Sequence, residues 1–290
     1  MKKYRFKKGA KNKFIAYAVT FGVAVLTAII LFVFAIPRLT EAMNSYAIQE
    51  KAPAEGEYIG EKLGITFAEE ELELGSCIVA EVIMQDMNCM KTAFPTGEYS
   101  PYLIGDPLVM AEEAGAILAI NADNSTYNTG GLVIRGSRLY SYEPWEGDML
   151  LTYHDGSIKC VDASEISSEA MADEMIKTGV TNSFCGGFSL IKDGRVAEKT
   201  EDWEKKCAYT CIGMVAEGHY IIVVSNSNAG HTAGMTKAEL ASLLYKKNCT
   251  EAYILESGTE CIFIFENQIQ NNLCGRKIPR EINDIIYFAE

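Results

Sequence analysis

Two carboxylates stand where apolar runs of the sequence give way to polar loops. Residues 116–120 lead through Asn121 and Ala122 to Asp123, and residues 252–255 lead directly to Glu256. Strand ends that open into loops are common seats of reactive side chains, and a carboxylate there can move a proton or stabilise a nearby cation. The plain alternative for each is a turn or cap residue. Groups that could hold an anion are Arg135, Arg280 and His231, the last in the loop Asn228-Ala229-Gly230-His231. The start of a helix at Thr236 adds amide dipoles to that set. For Arg135 the bland reading is a hairpin surface residue, and for His231 a loop histidine.

A cysteine nucleophile is a second chemistry to weigh. Cys185 precedes Gly186-Gly187, a turn that could present a thiolate to backbone amides, with His154, His219 or His231 as its base. The spacing fits no thiol-protease signature. The nine cysteines form no Cys-x-x-Cys, and three histidines are too few for zinc-site spacing, so neither a metal nor a cofactor is expected. Most of the cysteines fall in apolar runs and read as buried small hydrophobes. No disulfide pairing is assigned.

The elements that would position these groups are short strands broken by turns. Residues 78–84 and 116–120 read as strands, and 108–114 as a helix. Residues 132–134 and 138–142 flank Gly136, and 149–153 and 157–161 flank Asp155-Gly156, both hairpin patterns. Further strands are expected at 188–192, 211–215, 220–225, 252–256 and 261–265. Residues 164–177 are rich in helix formers and stop before Gly179. Thr236-Lys237-Ala238-Glu239 is a capping box, followed by Leu240, Leu243 and Leu244 on one face, with Asn248 closing the helix. Strands outnumber helices, which predicts an α+β domain with a mixed β-sheet core and flanking helices.

The N-terminal forty residues differ in kind. Residues 14–36 carry no charge, and at 1.5 Å per residue they span about 34 Å, enough for one transmembrane helix. The basic tail 1–13 has seven Lys or Arg and no acid, which keeps it cytoplasmic and sends the remainder outward. The run exceeds the length of a signal-peptide core, the rival reading. Residues 37–74 read as an acidic stalk or linker, and 75–290 as the globular domain. Residues 39–290 hold 18 bases against 39 acids, a net charge of −21 that argues against nucleic acid as a partner. The expected location is the cell membrane, single-pass, with the C-terminal domain extracytoplasmic.

Six segments in order over about 75–288 resemble the phosphodiester glycosidase family. They are Ala119-Ile120-Asn121-Ala122-Asp123, Gly131-Leu132-Val133-Ile134-Arg135, the stretch from Gly187 to Gly194, Thr210-Cys211-Ile212-Gly213-Met214, Ala233-Gly234-Met235-Thr236 with Glu239-Leu240, and Pro279-Arg280 through Tyr287. The resemblance implies a hydrolase that separates a sugar from a phosphodiester at the anomeric carbon, with a carbohydrate or glycosyl phosphate of envelope polymer or glycolipid as substrate. The implied catalytic acids are Asp123 and Glu256. The implied substrate-binding positions are Asn121, Arg135, Gly187, Tyr209, Thr210, His231, Gly258 and Arg280. Asn121 is either a turn residue or the orienter of a sugar hydroxyl.

The chain departs from the family pattern at polar and glycine positions. Tyr209 stands where the pattern has an arginine, and Ala122 where it has a glycine. Val224-Ser225-Asn226-Ser227-Asn228 replaces V-S-D-G-R, and Leu255-Glu256-Ser257-Gly258 replaces L-D-G-G. A non-catalytic glycan- or partner-binding domain on the same fold is therefore the alternative reading.

Overall fold

The computed structural model of the chain describes residues 54–72, 75–122, 131–198, 202–226 and 234–290. The tail 1–13, the uncharged run 14–36, Asp123 and His231 lie outside the described residues. Among the described residues, no helix is long and apolar enough to cross a membrane.

In chain order the strands begin with β1 (Glu55–Ile59), β2 (Leu63–Leu72), β3 (Gly75–Met84), β4 (Met90–Ala93) and β5 (Leu118–Asn121). Next come β6 (Gly131–Arg135), β7 (Arg138–Glu143), β8 (Asp148–Tyr153), β9 (Ile158–Asp162) and β10 (Val180–Cys185). They continue with β11 (Phe188–Lys192), β12 (Arg195–Val196), β13 (Tyr209–Ala216) and β14 (His219–Ser225). The last four are β15 (Glu251–Ser257), β16 (Phe263–Phe265), β17 (Gln268–Ile269) and β18 (Ile285–Phe288). Among the described residues three α-helices accompany them: α1 (Pro107–Glu113), α2 (Glu169–Lys177) and α3 (Lys237–Lys246). The architecture is thus mixed α and β and mostly strand.

Eight strands form the main sheet, in the order β1-β2-β3-β14-β13-β15-β11-β12. Five form a second sheet, β17-β16-β5-β18-β4, and two smaller sheets are β10-β8-β9 and β6-β7. Period-two burial explains the layering. One face of the main sheet presents Ile65, Ile78, Ile212, Ile222 and Leu255 to Leu118, Ile120, Phe263 and Phe288 of the second sheet. The other face presents Val79, Cys211, Val223 and Ile254 to Leu240, Ala241 and Leu244 of α3. Helix α1 covers the far side of the second sheet through Met110 and Ala111. Strands β6, β8 and β10 pack with α2 around Ile134, Met149 and Ala172.

Three expectations are corrected here. Residues 55–72 are not stalk: β1 pairs with β2 and β2 with β3, because Leu63, Ile65 and Phe67 alternate into the core while Thr66 and Ala68 face out. Every strand pairing among the described residues is antiparallel, so the sheets are not mixed in direction; short turns such as Asp155-Gly156 join neighbouring strands directly. The helix expected over 164–177 begins only at Glu169. Asp162 turns its carboxylate onto the Ser164 amide, and Ser168 supplies the N-cap by accepting from Met171 N at 3.3 Å. The capping box at Thr236 forms as expected, with both reciprocal bonds present.

Candidate active site

The sheet ends gather one polar cluster. Asn121 closes β5, Thr210 lies near the start of β13 and Glu256 near the end of β15. Thr210 and Glu256 are direct cross-strand partners beside an irregularity in the β13–β15 register. The Thr210 hydroxyl donates to Asn121 Oδ1 at 2.7 Å, and the same oxygen accepts from Ile262 N at 3.0 Å. Both bonds fix the amide of Asn121 in a buried position, where a satisfied polar group adds rigidity. Glu256 is 4% exposed, and its Oε1 accepts from the Ser257 amide at 2.6 Å. Cys261 abuts this group: burial first, and the Glu256 charge second, push its thiol well above the ordinary range. Asn121, Thr210 and Glu256 therefore share one buried polar cluster, with the Glu256 carboxylate on the amide of its own neighbour Ser257.

Gly258 and Arg280 adjoin the cluster. Gly258 adopts φ +106°, a conformation that disfavours side chains, and its amide donates to Ala208 O at 2.9 Å just before β13. Arg280 Nε lies 3.3 Å from Glu260 Oε1, and Glu260 is itself mostly buried while Arg280 is partly exposed. Glu260, in the turn between β15 and β16, is a second carboxylate near Glu256 in sequence that sequence reasoning did not single out. Its only signal was its place within the degenerate stretch after Leu255.

Arg135, Gly187 and Tyr209 are placed differently from expectation. Arg135 is not a surface hairpin residue: its guanidinium is buried, with Nε and Nη2 at 2.9 and 2.7 Å from Asp284 Oδ2. Its Nη1 donates to the carbonyls of Ile134 and Ser183, and its plane lies 4.4 Å from the centre of the Phe184 ring. The Asp284 carbonyl accepts from Ala122 N at 3.2 Å, so this ion pair braces the end of β5 from behind. Gly187 is a packing position, because a Cβ there would run into the Ile254 carbonyl and the Tyr253 ring. Tyr209 falls on the opposite face of β13 from Thr210, as alternation requires. It is buried with Cys211, Trp203 and Met235, its hydroxyl donates to Lys205 O at 3.3 Å, and burial pushes its phenol up. It is not a phosphate-facing residue.

Asn226, at the end of β14, was noticed only as a departure from the family pattern. It joins three segments: Nδ2 donates to Glu69 Oε1 and Ser76 Oγ at 2.8 and 3.1 Å, and Oδ1 accepts from Asn272 N at 2.8 Å. The thiol-nucleophile arrangement is absent among the described residues. Cys185 donates to Leu132 O at 3.6 Å, His154 meets Ser137 and His219 meets Glu81. No three His, Cys, Asp or Glu side chains among the described residues converge closely enough to hold a metal ion.

Comparison with known proteins bears on the family and the fold. The family model for phosphodiester glycosidase matches residues 114–289. The SPβ prophage-derived uncharacterized protein YomE of Bacillus subtilis strain 168 is 28% identical over 176 residues, which is 57% of this chain and 27% of that protein. The chain thus spans about a quarter of that relative's length. Among solved structures, the catalytic domain of zebrafish N-acetylglucosamine-1-phosphodiester α-N-acetylglucosaminidase, auto-inhibited by its pro-peptide, superposes with a TM-score of 0.61 at 15% identity. That match covers 83% of this chain and 85% of the other. A hypothetical protein from Synechocystis gives a TM-score of 0.55 at 11% identity, over 82% of this chain and 64% of the other. At these identities the structural likeness speaks to the fold.

Proposed function

The chain belongs to the phosphodiester glycosidase family, and from that premise we propose that it hydrolyses a glycosyl phosphodiester of envelope polymer or glycolipid. The observation that carries this reading is the buried Glu256 carboxylate, fixed by the Ser257 amide beside the Thr210–Asn121 pair. The C1–O bond to the phosphodiester breaks with its electron pair leaving on the phosphate oxygen, and water adds to C1. Glu256 stabilises the oxocarbenium-like state and takes the proton of the water. A phosphate leaves readily without protonation, so one carboxylate can carry most of the acid–base demand. Asn121 and Thr210, buried and bonded to each other, hold the sheet end beside Glu256, and Asp123, two residues beyond β5 in sequence, is the second candidate carboxylate.

With a GlcNAc phosphodiester as substrate, free sugar and a phosphomonoester are expected. Glu256→Gln should cut sugar release by about 100-fold or more while the domain stays folded, the scale of an acid–base group. Unchanged release by that variant would remove Glu256 from the mechanism.

One observation favours the alternative of a glycan-binding domain without turnover. Arg135 and Arg280, the two arginines expected to hold the anion, are both already engaged by carboxylates. Saturable binding of the phosphodiester with no sugar released would establish that alternative.

The same proposal places the domain outside the cell, held by the uncharged run 14–36. A C-terminal alkaline phosphatase fusion should be active in a bacterial host and a β-galactosidase fusion inactive. The reverse pattern would overturn the orientation.

A further inference from the structure

Away from the Glu256 cluster lies a groove of about 620 Å³ between β4, the β6–β7 turn and the inner ends of β8 and β10. Among the described residues no Asp or Glu lines it, whereas Lys91, Arg138 and His154 do. Residues 39–290 carry a net charge of −21, so a concave surface free of acid among the described residues is an exception that calls for a reason. Lys91 and Arg138 are exposed, and neither forms an ion pair among the described residues.

The walls are ordered by their own bonds. Arg138 lies 4.9 Å from the centre of the Tyr140 ring, and Tyr140 in turn packs edge-on to Phe94 at 5.3 Å. The floor is a fixed polar triad: Thr152 and Thr181 hydroxyls meet at 2.6 Å, and Asn182 donates to Thr152 at 2.9 Å while accepting from Gly136 N at 3.0 Å. Ser137 Oγ and His154 Nε2 meet at 3.2 Å on one side. Aromatic faces, fixed hydroxyl and amide groups, and cations without acids form a combination that fits a sugar bearing a negative charge. Ring faces accept the polarised C–H face of a pyranose, the hydroxyls and amide meet its oxygens, and the cations meet its acid group.

We infer that this groove is a second binding site, distinct from the Glu256 cluster, for an anionic saccharide carrying a carboxylate or a phosphate. The groove touches the first site only through Arg135, which lines it and whose partner Asp284 holds Ala122. The inference does not depend on turnover at Glu256.

Calorimetry on the chain residues 51–290 with three probes tests this, since these residues form one compact unit. A hyaluronan hexasaccharide represents the carboxylate source, N-acetylglucosamine 1-phosphate the phosphate source, and chitohexaose the neutral control. At least one anionic probe should bind, with affinity falling as salt rises. The double variant Lys91→Glu/Arg138→Glu should weaken that binding about tenfold or more, as removal of charge-assisted contacts does. Both side chains are exposed, so the unfolding midpoint of the variant should remain near that of the parent. Glu256→Gln should bind the anionic probe as the parent does. Failure of both anions to bind, equal binding by the double variant, equal affinity for chitohexaose, or loss of binding in Glu256→Gln would each overturn the inference.

Discussion

Removing Asp284 from beneath the end of β5 should unfold the domain before it disturbs any ligand. Asp284 and Arg135 side chains are 2% and 3% exposed, and two charge-assisted bonds join them at 2.7 and 2.9 Å. Asp284→Ala leaves a buried guanidinium with its carbonyl contacts but without a counter-charge. Breaking a buried pair on one side costs about 3–5 kcal/mol. For a domain of this size that lowers the melting temperature by roughly 6–20 °C, at about 2–4 °C per kcal/mol. Replacing both partners, as Arg135→Met with Asp284→Leu, removes the stranded charge and should cost less than either single change, giving a coupling energy of about 2 kcal/mol or more. Urea unfolding of the two single variants, the double variant and the parent supplies the cycle. A cost under about 1 kcal/mol for Arg135→Met, combined with lost affinity for a sugar phosphate, would refute the bracing role and return Arg135 to the substrate.

Tyr209→Arg should lower stability by about 3 kcal/mol or more, because it drives a guanidinium into the apolar layer under α3, and should not raise affinity for N-acetylglucosamine 1-phosphate; a gain in affinity at unchanged stability would contradict the face assigned to Tyr209. Gly187→Ala should cost about 1–3 kcal/mol in urea unfolding, since its Cβ meets backbone at Ile254 rather than a yielding side chain; a neutral result would show that β11 can shift. All nine cysteines are free thiols and only Cys207 and Cys274 are partly exposed, so a thiol reagent at pH 8 should count two in the native domain and nine after unfolding. Burial pushes Cys77 and Cys249 up to about 12 from an ordinary 9.0. Their contribution to stability is full below about pH 9 and is lost as pH rises toward 12, so the urea midpoint should fall across that window; a midpoint that is flat from pH 9 to 11 would contradict their burial.

Elements with strong local signals were legible, and those decided by long-range packing were not. The capping box at Thr236, the Asp155-Gly156 hairpin and the helix stop at Asn248, which adopts φ +64°, follow from local chemistry and appear as read. Residues 55–72 were misread because their charged positions dominate the composition, while the alternate Leu63, Ile65 and Phe67 gain meaning only against β3 and the second sheet. The cluster of Asn121, Thr210 and Glu256 was reachable from motif order. The hydrogen bond from Thr210 to Asn121 was not, since it spans 89 positions.

Motif order also misled where it ignored which face a residue takes. Tyr209 and Thr210 are neighbours in sequence, and both were expected near the substrate. Period two sends them to opposite layers: Thr210 meets Asn121 between the sheets, and Tyr209 meets Trp203 and Met235 under α3. The charge available to the site must then come from elsewhere. Arg280 is a partly exposed candidate, and it is held by Glu260. An anion that displaced Glu260 from Arg280 would gain a guanidinium and release a carboxylate beside Gly258 in one step. Glu260→Gln should therefore raise affinity for a sugar phosphate several-fold, about the strength of one exposed ion pair of roughly 0.2–1 kcal/mol, by leaving Arg280 unopposed. Weaker binding by that variant would mean that Glu260 itself touches the ligand and that Arg280 serves only to position it.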